Sequence, residues 1–349
     1  MWRLTLNVQR LPKAMELNLI KPIDSERRAC LRMAFFASLC LAAHTTHAQS
    51  DRPLKLVVPF APGGGNDIFA RALAKGLTDL RGQAVVVENK AGAGGNLGTS
   101  EVVRSPADGH TLLLGHSGTV SINPVLYKSL KFDARTDLQP VAMFAQSALV
   151  LVVPANSSVQ TVASLIAEAR AASGAWNFSS AGAGTGGHLT GELFQQMTGI
   201  SMRHIPYKGT APALADVAGG QVQMCFSVLP PALALIKAGK LKAIAVTSSA
   251  RLPSLPQVPT VAESGLSSLK GFESIVTYGL LAPAGLASEK RRELEVQILK
   301  VASTSDFQLR LAAEGAVPML GGAAEYARLI KNESGKWAEV VRLSGASEN

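Results

Sequence analysis

Three short segments hold residue types that can do chemistry, and each sits where an apolar run gives way to a helical period. The first is Pro59-Phe60-Ala61-Pro62-Gly63-Gly64-Gly65-Asn66-Asp67, which follows the run LKLVVP. Glycines let a backbone turn its N–H groups toward a ligand, and the start of the next helix adds about half a positive charge, so the segment favours an anion. No Gly-Lys-Ser/Thr follows, which excludes a Walker-type phosphate loop. A structural turn capped by Asn66 would use the same residues. Asp67 suits either the helix dipole or a pocket role, accepting from a ligand hydroxyl or ammonium.

The second segment is Ser179-Ser180-Ala181-Gly182-Ala183-Gly184-Thr185-Gly186-Gly187-His188. Gly182, Gly184 and Gly187 spell G-x-G-x-x-G, the fingerprint of dinucleotide binding. That motif needs a ribose-binding acid about 20 residues on, and Met202–Lys208 contains none. An anion cradle is the reading that survives.

The third segment, Gly115-His116-Ser117-Gly118-Thr119, differs from the hydrolase elbow G-x-S-x-G by Thr119 at the last position. A nucleophilic Ser117 would need a base and an acid, and neither His188 nor His204 has an obvious acidic partner. A hydroxyl-rich binding loop is the simpler expectation, with a secreted hydrolase as its competitor. The histidines at 110, 116, 188 and 204 lack metal-ligand spacing, and Cys225 reads as a buried apolar residue. Neither a metal nor a cofactor is expected. Lys and Arg are dispersed without interleaved aromatics, so no nucleic-acid partner is expected either.

These segments need strands and helices to hold them. Strands are expected at Leu54–Pro59, Ala84–Glu88 and Thr111–Leu114, alternating with helices at Asn66–Leu80, Leu97–Arg104 and Pro124–Leu130; the first helix places Phe69, Leu73, Leu77 and Leu80 on one face. A long extended stretch, Leu138–Pro154, leads into a second series with strands at Trp176–Ser179, Met202–Ile205, Val222–Ser227 and Leu241–Val246. Helices Val162–Ala172, His188–Thr198, Pro212–Ala218 and Ala232–Ala238 lie between them. Another extended segment, Ile275–Ala282, precedes helices Ser288–Thr304, Asp306–Ala313 and Ala323–Leu343. Repeated βα units predict doubly wound sheets with ligands outside the strand carboxyl ends. The fold class is α/β, two doubly wound sheets joined by two extended crossings with a cleft between them.

At 349 residues and 47% apolar composition the chain has material for about two cored domains, and disorder is excluded. The formal charge of +9 is uneven. Arg27, Arg28 and Arg32 precede the apolar stretch Met33–Ala43, and Thr46-His47-Ala48 places small residues where a signal peptidase reads, so residues 1–48 are expected to be an export signal cleaved near Ala48. Both the general and the twin-arginine export routes fit this segment. Residues 1–48 hold seven of the 34 Lys/Arg and three of the 25 Asp/Glu, so the remainder carries +5. Cys30 and Cys40 also lie in the signal, and Cys225 alone cannot form an internal disulfide.

The segments PFAPGGGND (59–67), VVVENKAGAGGNLG (85–98), DGHTLLLG (108–115), INPVLY (122–127), SAGAGTGGHL (180–189), PYKG (206–209), AVTSSAR and VPTVAESG (within 245–265) and YGLLAPAG (278–285) together carry a family resemblance. From Arg52 to Leu343 the chain resembles the substrate-binding proteins of tripartite tricarboxylate transporters, the Bug family of solute receptors. The resemblance implies a type II periplasmic binding fold of the Venus-flytrap kind, with domain I from residues 49–147 and 273–349 and domain II from 148–272. It implies a periplasmic monomer that closes on a small organic carboxylate and presents it to membrane permease subunits; a periplasmic sensor receptor, which would use the same closed cleft, is the alternative. By position, Phe60, Ala61, Gly64, Asn66 and Asp67 would form one wall of the site, with Ser117 and Thr119 beside them. Ala181, Gly182, Gly184, Thr185 and His188 would form the other, with Tyr207, Lys208 and Ser227 nearby. The chain departs from the family at Gln223 and Ser227, where acids are usual, and at Thr277, where an aromatic is common. Those departures imply a roomier pocket suited to a carboxylate without an amino group.

Overall fold

The computed structural model describes residues 52–313 and 315–347. The expected export signal therefore lies outside the described residues.

In chain order the elements are β1 (Leu54–Val58), α1 (Gly65–Arg81), β2 (Val85–Asn89), α2 (Asn96–Val103), β3 (Thr111–His116), α3 (Asn123–Leu126), β4 (Leu138–Pro154), α4 (Val162–Ala171), β5 (Asn177–Ser180), α5 (Gly186–Thr198), β6 (Arg203–Pro206), α6 (Thr210–Ala218), β7 (Met224–Val228), α7 (Leu229–Lys237), β8 (Leu241–Val246), β9 (Ile275–Pro283), α8 (Ser288–Ala302), α9 (Ser305–Ala313), β10 (Ala316–Gly322) and α10 (Ala323–Ser344). A single π-helical turn, Gly118–Ile122, links β3 to α3.

Pairing arranges the strands in two mixed sheets. The first runs β2-β1-β3-β9-β4-β10, with β2, β1 and β3 parallel and the rest antiparallel to their neighbours. The second runs β8-β4-β7-β5-β6, with β7, β5 and β6 parallel. The 17-residue β4 belongs to both: Leu138–Ala148 pairs with β9 and Leu149–Pro154 with β7 and β8. Its register with β9 shifts around Pro140 and again after Met143, where a proline without an N–H is tolerated in a ladder.

Local chemistry explains the elements around the site. β1 is an unbroken apolar run, and Leu56, Val57 and Val58 are fully buried, as expected of a strand covered on both faces. α1 opens at Gly64 and stops at Gly82, whose left-handed conformation (φ 65°) lets its N–H close onto Thr78. Phe69, Leu73 and Leu77 on α1 pack into the same core as Leu54, Leu56 and Leu112, each burial contributing about 1.5–3 kcal/mol. Leu80, expected on that face in the last turn of α1, is 36% exposed. α4 starts on a reciprocal capping box between Thr161 and Ser164.

Two differences from the sequence reading have physical causes. The helix expected over Pro124–Leu130 stops at Leu126, since Tyr127 turns to an extended conformation. β10 was not expected, because Pro318, Gly321 and Gly322 read as turn punctuation. They sit instead on an edge strand with a bulge between Pro318 and Gly321, the place in a sheet where such residues are tolerated.

Candidate functional site

The carboxyl ends of β1, β3, β5 and β7 meet at one small cavity of about 40 Å³. The loop after β1 contributes Phe60, Ala61 and Gly64, and the first turn of α1 adds Gly65 and Asn66. The loop after β5 contributes Ala181 and Thr185, and α5 opens on the cavity with Gly186 and Gly187. His116 ends β3, Cys225–Val228 belong to β7, and β9 crosses the middle with Val276 and Tyr278. Leu149 and Thr210 complete the wall, and no Asp, Glu, Lys or Arg is part of it.

The first loop is held by Asp67, which is buried. Its Oδ2 accepts from Gly63 N (3.0 Å) and from Arg71 Nε (3.0 Å), and its Oδ1 accepts from Asn89 Nδ2 (3.0 Å). Asn89 Nδ2 also donates to Phe60 O. Burial alone would raise the Asp67 pKa, but the hydrogen bonds from Arg71, Gly63 and Asn89 outweigh it and hold the carboxyl below its usual range. Asp67 thus shapes the loop and does not line the cavity.

The second loop folds onto itself. Ser180 Oγ accepts from Gly182 N, while Thr185 Oγ1 donates to Gly182 O (2.7 Å). Gly184 N donates to His188 Nδ1 (3.1 Å), and Tyr127 from the first sheet's side donates to Ala183 O (2.9 Å). Gly184 has φ +77°, and a Cβ there would stand 2.0 Å from Asn123 Oδ1. At Gly187 a Cβ would meet Phe226 O at 2.4 Å, so only glycine lets α5 begin this close to β7. The imidazoles of His188 and His204 stack at 3.9 Å. Burial lowers their pKa values to about 4 and about 2, the charge of His188 adding to the effect on His204. Glu192 lies 3.6 Å from His188 Nε2, and burial raises it to about 7. With the acid pushed up and the imidazole pushed down, the contact is a polar one between a neutral ring and a carboxyl, not a full ion pair.

Two helices, α1 and α5, therefore direct their first turns at one small space. The opening N–H groups of each helix have no intrahelical acceptor, and the helix dipoles place positive potential there. Two buried side-chain groups on the same wall lack partners: Asn66 Nδ2 and Tyr278 OH. Burial pushes the Tyr278 phenol well above its usual value, so it stays a hydroxyl. Burial also lowers His116 to about 4; its Nδ1 accepts from Gly118 N (2.7 Å), so the neutral ring carries its proton on Nε2. The His116 ring stacks on Phe60 at 4.9 Å. The wall thus offers donors and no acidic group, an arrangement that suits an anion solvated by neutral dipoles.

Of the residues expected from sequence, Phe60, Ala61, Gly64, Asn66, Ala181, Thr185 and Ser227 line the cavity. Gly182, Gly184 and His188 shape the second loop from behind it. Ser117 Oγ donates to Glu333 Oε1 (3.1 Å) and accepts from Thr277 N (3.1 Å), and Thr119 Oγ1 donates to His116 O and accepts from His116 N; both are structural links beside β3. Tyr207 donates to Asp216 Oδ2 at 2.5 Å, with burial and that acid raising its pKa to about 12, and Lys208 is exposed; neither reaches the wall. Gln223 accepts from Asn177 N and also stays outside. Thr277 faces the opposite side of β9 from Val276 and Tyr278, so its small size opens space beside α10 and not in this cavity.

The residues missed are chiefly His116 at the end of β3, Tyr278 on a strand distant in sequence, and Gly186, Gly187 and Thr210 at the starts of α5 and α6. The alternation of IVTYGLLAP was the available signal, because it puts Val276 and Tyr278 on one face. No hydrogen bond among the described residues joins Ser117 to a histidine. Likewise, no group of three or more His, Cys, Asp or Glu among them is placed to hold a metal, and no described helix is long and apolar enough to cross a membrane.

Known proteins share this architecture. A family model described as the tripartite tricarboxylate transporter family receptor matches residues 69–345. Protein BugT of Bordetella pertussis is 38% identical over 296 residues, covering 84% of this chain and 90% of that protein. The structure of Rpa4515 from R. palustris with adipate superposes with a TM-score of 0.81 at 34% identity, covering 85% of this chain and 98% of that one. The periplasmic binding protein BugD superposes with a TM-score of 0.80 at 33% identity, covering 85% and 99%. With a family model spanning residues 69–345 and a relative of 38% identity, the chain belongs to the receptors of the tripartite tricarboxylate transporter family.

Proposed function

We propose that the protein captures a small organic carboxylate in the periplasm and delivers it to the membrane subunits of a tripartite tricarboxylate-type transporter. The observation that carries this reading is the pair of partnerless donors, Asn66 Nδ2 and Tyr278 OH, on a cavity where α1 and α5 both begin. A carboxylate would accept from these groups and from the free N–H groups of the two first turns. Hydrogen bonds to a charged partner contribute more than neutral ones, about 1.5–3 kcal/mol each. The resemblance to the adipate-bound relative supports the same ligand class.

On this reading residues 49–147 with 273–349, and residues 148–272, act as two domains that close over the ligand, with β4 and the start of β9 as the hinge. On the same reading, opening would enlarge the 40 Å³ cavity and closure would bring both loops onto the ligand. A ligand shifts such an equilibrium only by binding the closed form better, as convergence of both loops on one anion provides. Delivery as a monomer to permease subunits follows the family pattern. The hydrolase alternative gains nothing here, since Ser117 is engaged with Glu333 and Thr277.

The ligand carries no amino group. Ser227 lines the cavity, and the wall holds no carboxylate to pair with an ammonium. Thermal-shift screening against organic acids tests the function, because a ligand at 100 times its dissociation constant adds about 2.7 kcal/mol of stability. Isothermal titration that ranks aspartate or glutamate above the matching dicarboxylates would overturn the amino-free assignment. A panel with no stabilising carboxylate would overturn the receptor reading itself.

A further inference from the structure

A second cavity, of about 500 Å³, lies between β4, β9 and α10 and shares no lining residue with the first. Its volume falls within the range of small-molecule sites. The wall is largely apolar, formed by Val125, Leu138, Leu281 and Ile330 among others. Three features distinguish it from a packing defect. Ser334 is only 8% exposed and its Oγ lacks a hydrogen-bond partner, although it lines the cavity. Lys331 lies three residues before Ser334 on α10, which puts both on one helix face, and it makes no ion pair among the described residues. Gly335, in the middle of α10, has open space where a Cβ would stand, so the helix leaves a notch in the wall.

We propose that this cavity is a binding site for an amphipathic monoanion, a free medium-chain carboxylate. Its chain lies along the apolar wall, and its carboxylate accepts from the Ser334 hydroxyl and pairs with Lys331 at the mouth. Arg135 stands at the same rim; its Nε and Nη2 are bound to Asp133, which leaves Nη1 for the anion. An apolar body with a single anionic end matches the lining, because a dicarboxylate would bury its second charge against Leu138 and Ile330 without a partner. The proposal stands apart from the function assigned to the first cavity.

Octanoate is the probe, titrated calorimetrically into the wild-type chain and four variants, with circular dichroism confirming each fold. Wild type binds octanoate, Gly335→Phe fills the notch and abolishes binding, and Lys331→Gln weakens it about fivefold, roughly the loss of one exposed charge contact. Tyr278→Phe, which alters only the first cavity, leaves octanoate affinity unchanged. Should Gly335→Phe fail to fold, Ala327→Met narrows the same space from an exposed position and must weaken binding. Absence of octanoate binding to wild type overturns the proposal, as does binding that survives the filling variant or falls with Tyr278→Phe. Equal affinity for octanol removes the anion assignment. Sedimentation of the protein with phosphatidylglycerol vesicles, undiminished by octanoate, overturns the free-carboxylate occupant.

Discussion

The two glycine-rich loops place a helix start on the same cavity, yet they are braced by different chemistry. The loop after β1 is held by a charge: Asp67 gathers Gly63 N, Asn89 and Arg71 around a carboxylate kept ionised. The loop after β5 is held by neutral groups, with Thr185 and Ser180 hydroxyls on Gly182 and the His188 ring accepting from Gly184. Neutral bracing is weaker per bond and depends on a ring that must stay unprotonated. The second loop should therefore be the adjustable and acid-sensitive side of the site, and the first its fixed side.

The largest expected effect is on the second loop's meeting with the opposite wall. Gly184→Leu puts a side chain into a left-handed position and against Asn123, a strain and clash of about 2–6 kcal/mol in the closed form. Carboxylate affinity should fall by about 100-fold or more while circular dichroism stays native; retained affinity would remove this loop from the site. Next comes the donor between the loops. Tyr278→Phe deletes the partnerless hydroxyl, lowering affinity roughly 10- to 100-fold from a loss of about 1.5–3 kcal/mol, with melting temperature unchanged or raised. An unchanged affinity with a lowered melting temperature would reassign that hydroxyl to structure.

A smaller effect separates the braces directly. Asp67→Asn should cost about 1–3 kcal/mol of stability, because a buried charge-assisted set is broken, and should act on affinity only through the loop's shape. Denaturant unfolding at constant slope measures it. The smallest effect is the pH dependence. His188 titrates at about 4 when folded against 6.5 unfolded, so its contribution is complete above 6.5 and is lost as pH falls toward 4. His116, at about 4, and His204, at about 2, act in the same direction. Glu192, raised to about 7, opposes them, its contribution being complete below 4.5 and lost as pH rises through 7. Asp67, held below its usual range, gives way only at still lower pH. Hydrogen exchange should therefore show the Gly184 amide losing protection between pH 6.5 and 4 while the Gly63 amide keeps it. Parallel loss at both amides would erase the distinction between the loops.

Much of this site could be read in the sequence because its scaffold is local. A glycine cluster between an apolar run and a helical period announces a backbone cradle, and Phe60, Asn66, Ala181 and Thr185 follow from neighbouring positions. The side chains that reach in from elsewhere could not be found that way. Tyr278 and His116 meet Asn66 only through the pairing of β9 with β3, a contact between residues more than 150 positions apart. Asp67, Ser117 and Thr119 illustrate the opposite error: polar residues beside a cradle are as often its braces as its donors, and only their hydrogen bonds tell which. The strand phase of Thr277 could have been counted, and counting it places that residue behind the site. β10 stayed hidden because proline and glycine signal turns locally while an edge strand tolerates them.

β4 has a consequence for how the molecule comes apart. A single ribbon shared by two sheets ties each to the other, so loss of one exposes half of the strand that completes the other. The partners that complete it, β9 and β10, lie in the last quarter of the sequence. Residues from β1 onward should accordingly melt in one cooperative transition, and a chain truncated before β9 should keep the strands of the second sheet but leave Leu138–Ala148 of β4 unpaired and β3 without its antiparallel neighbour.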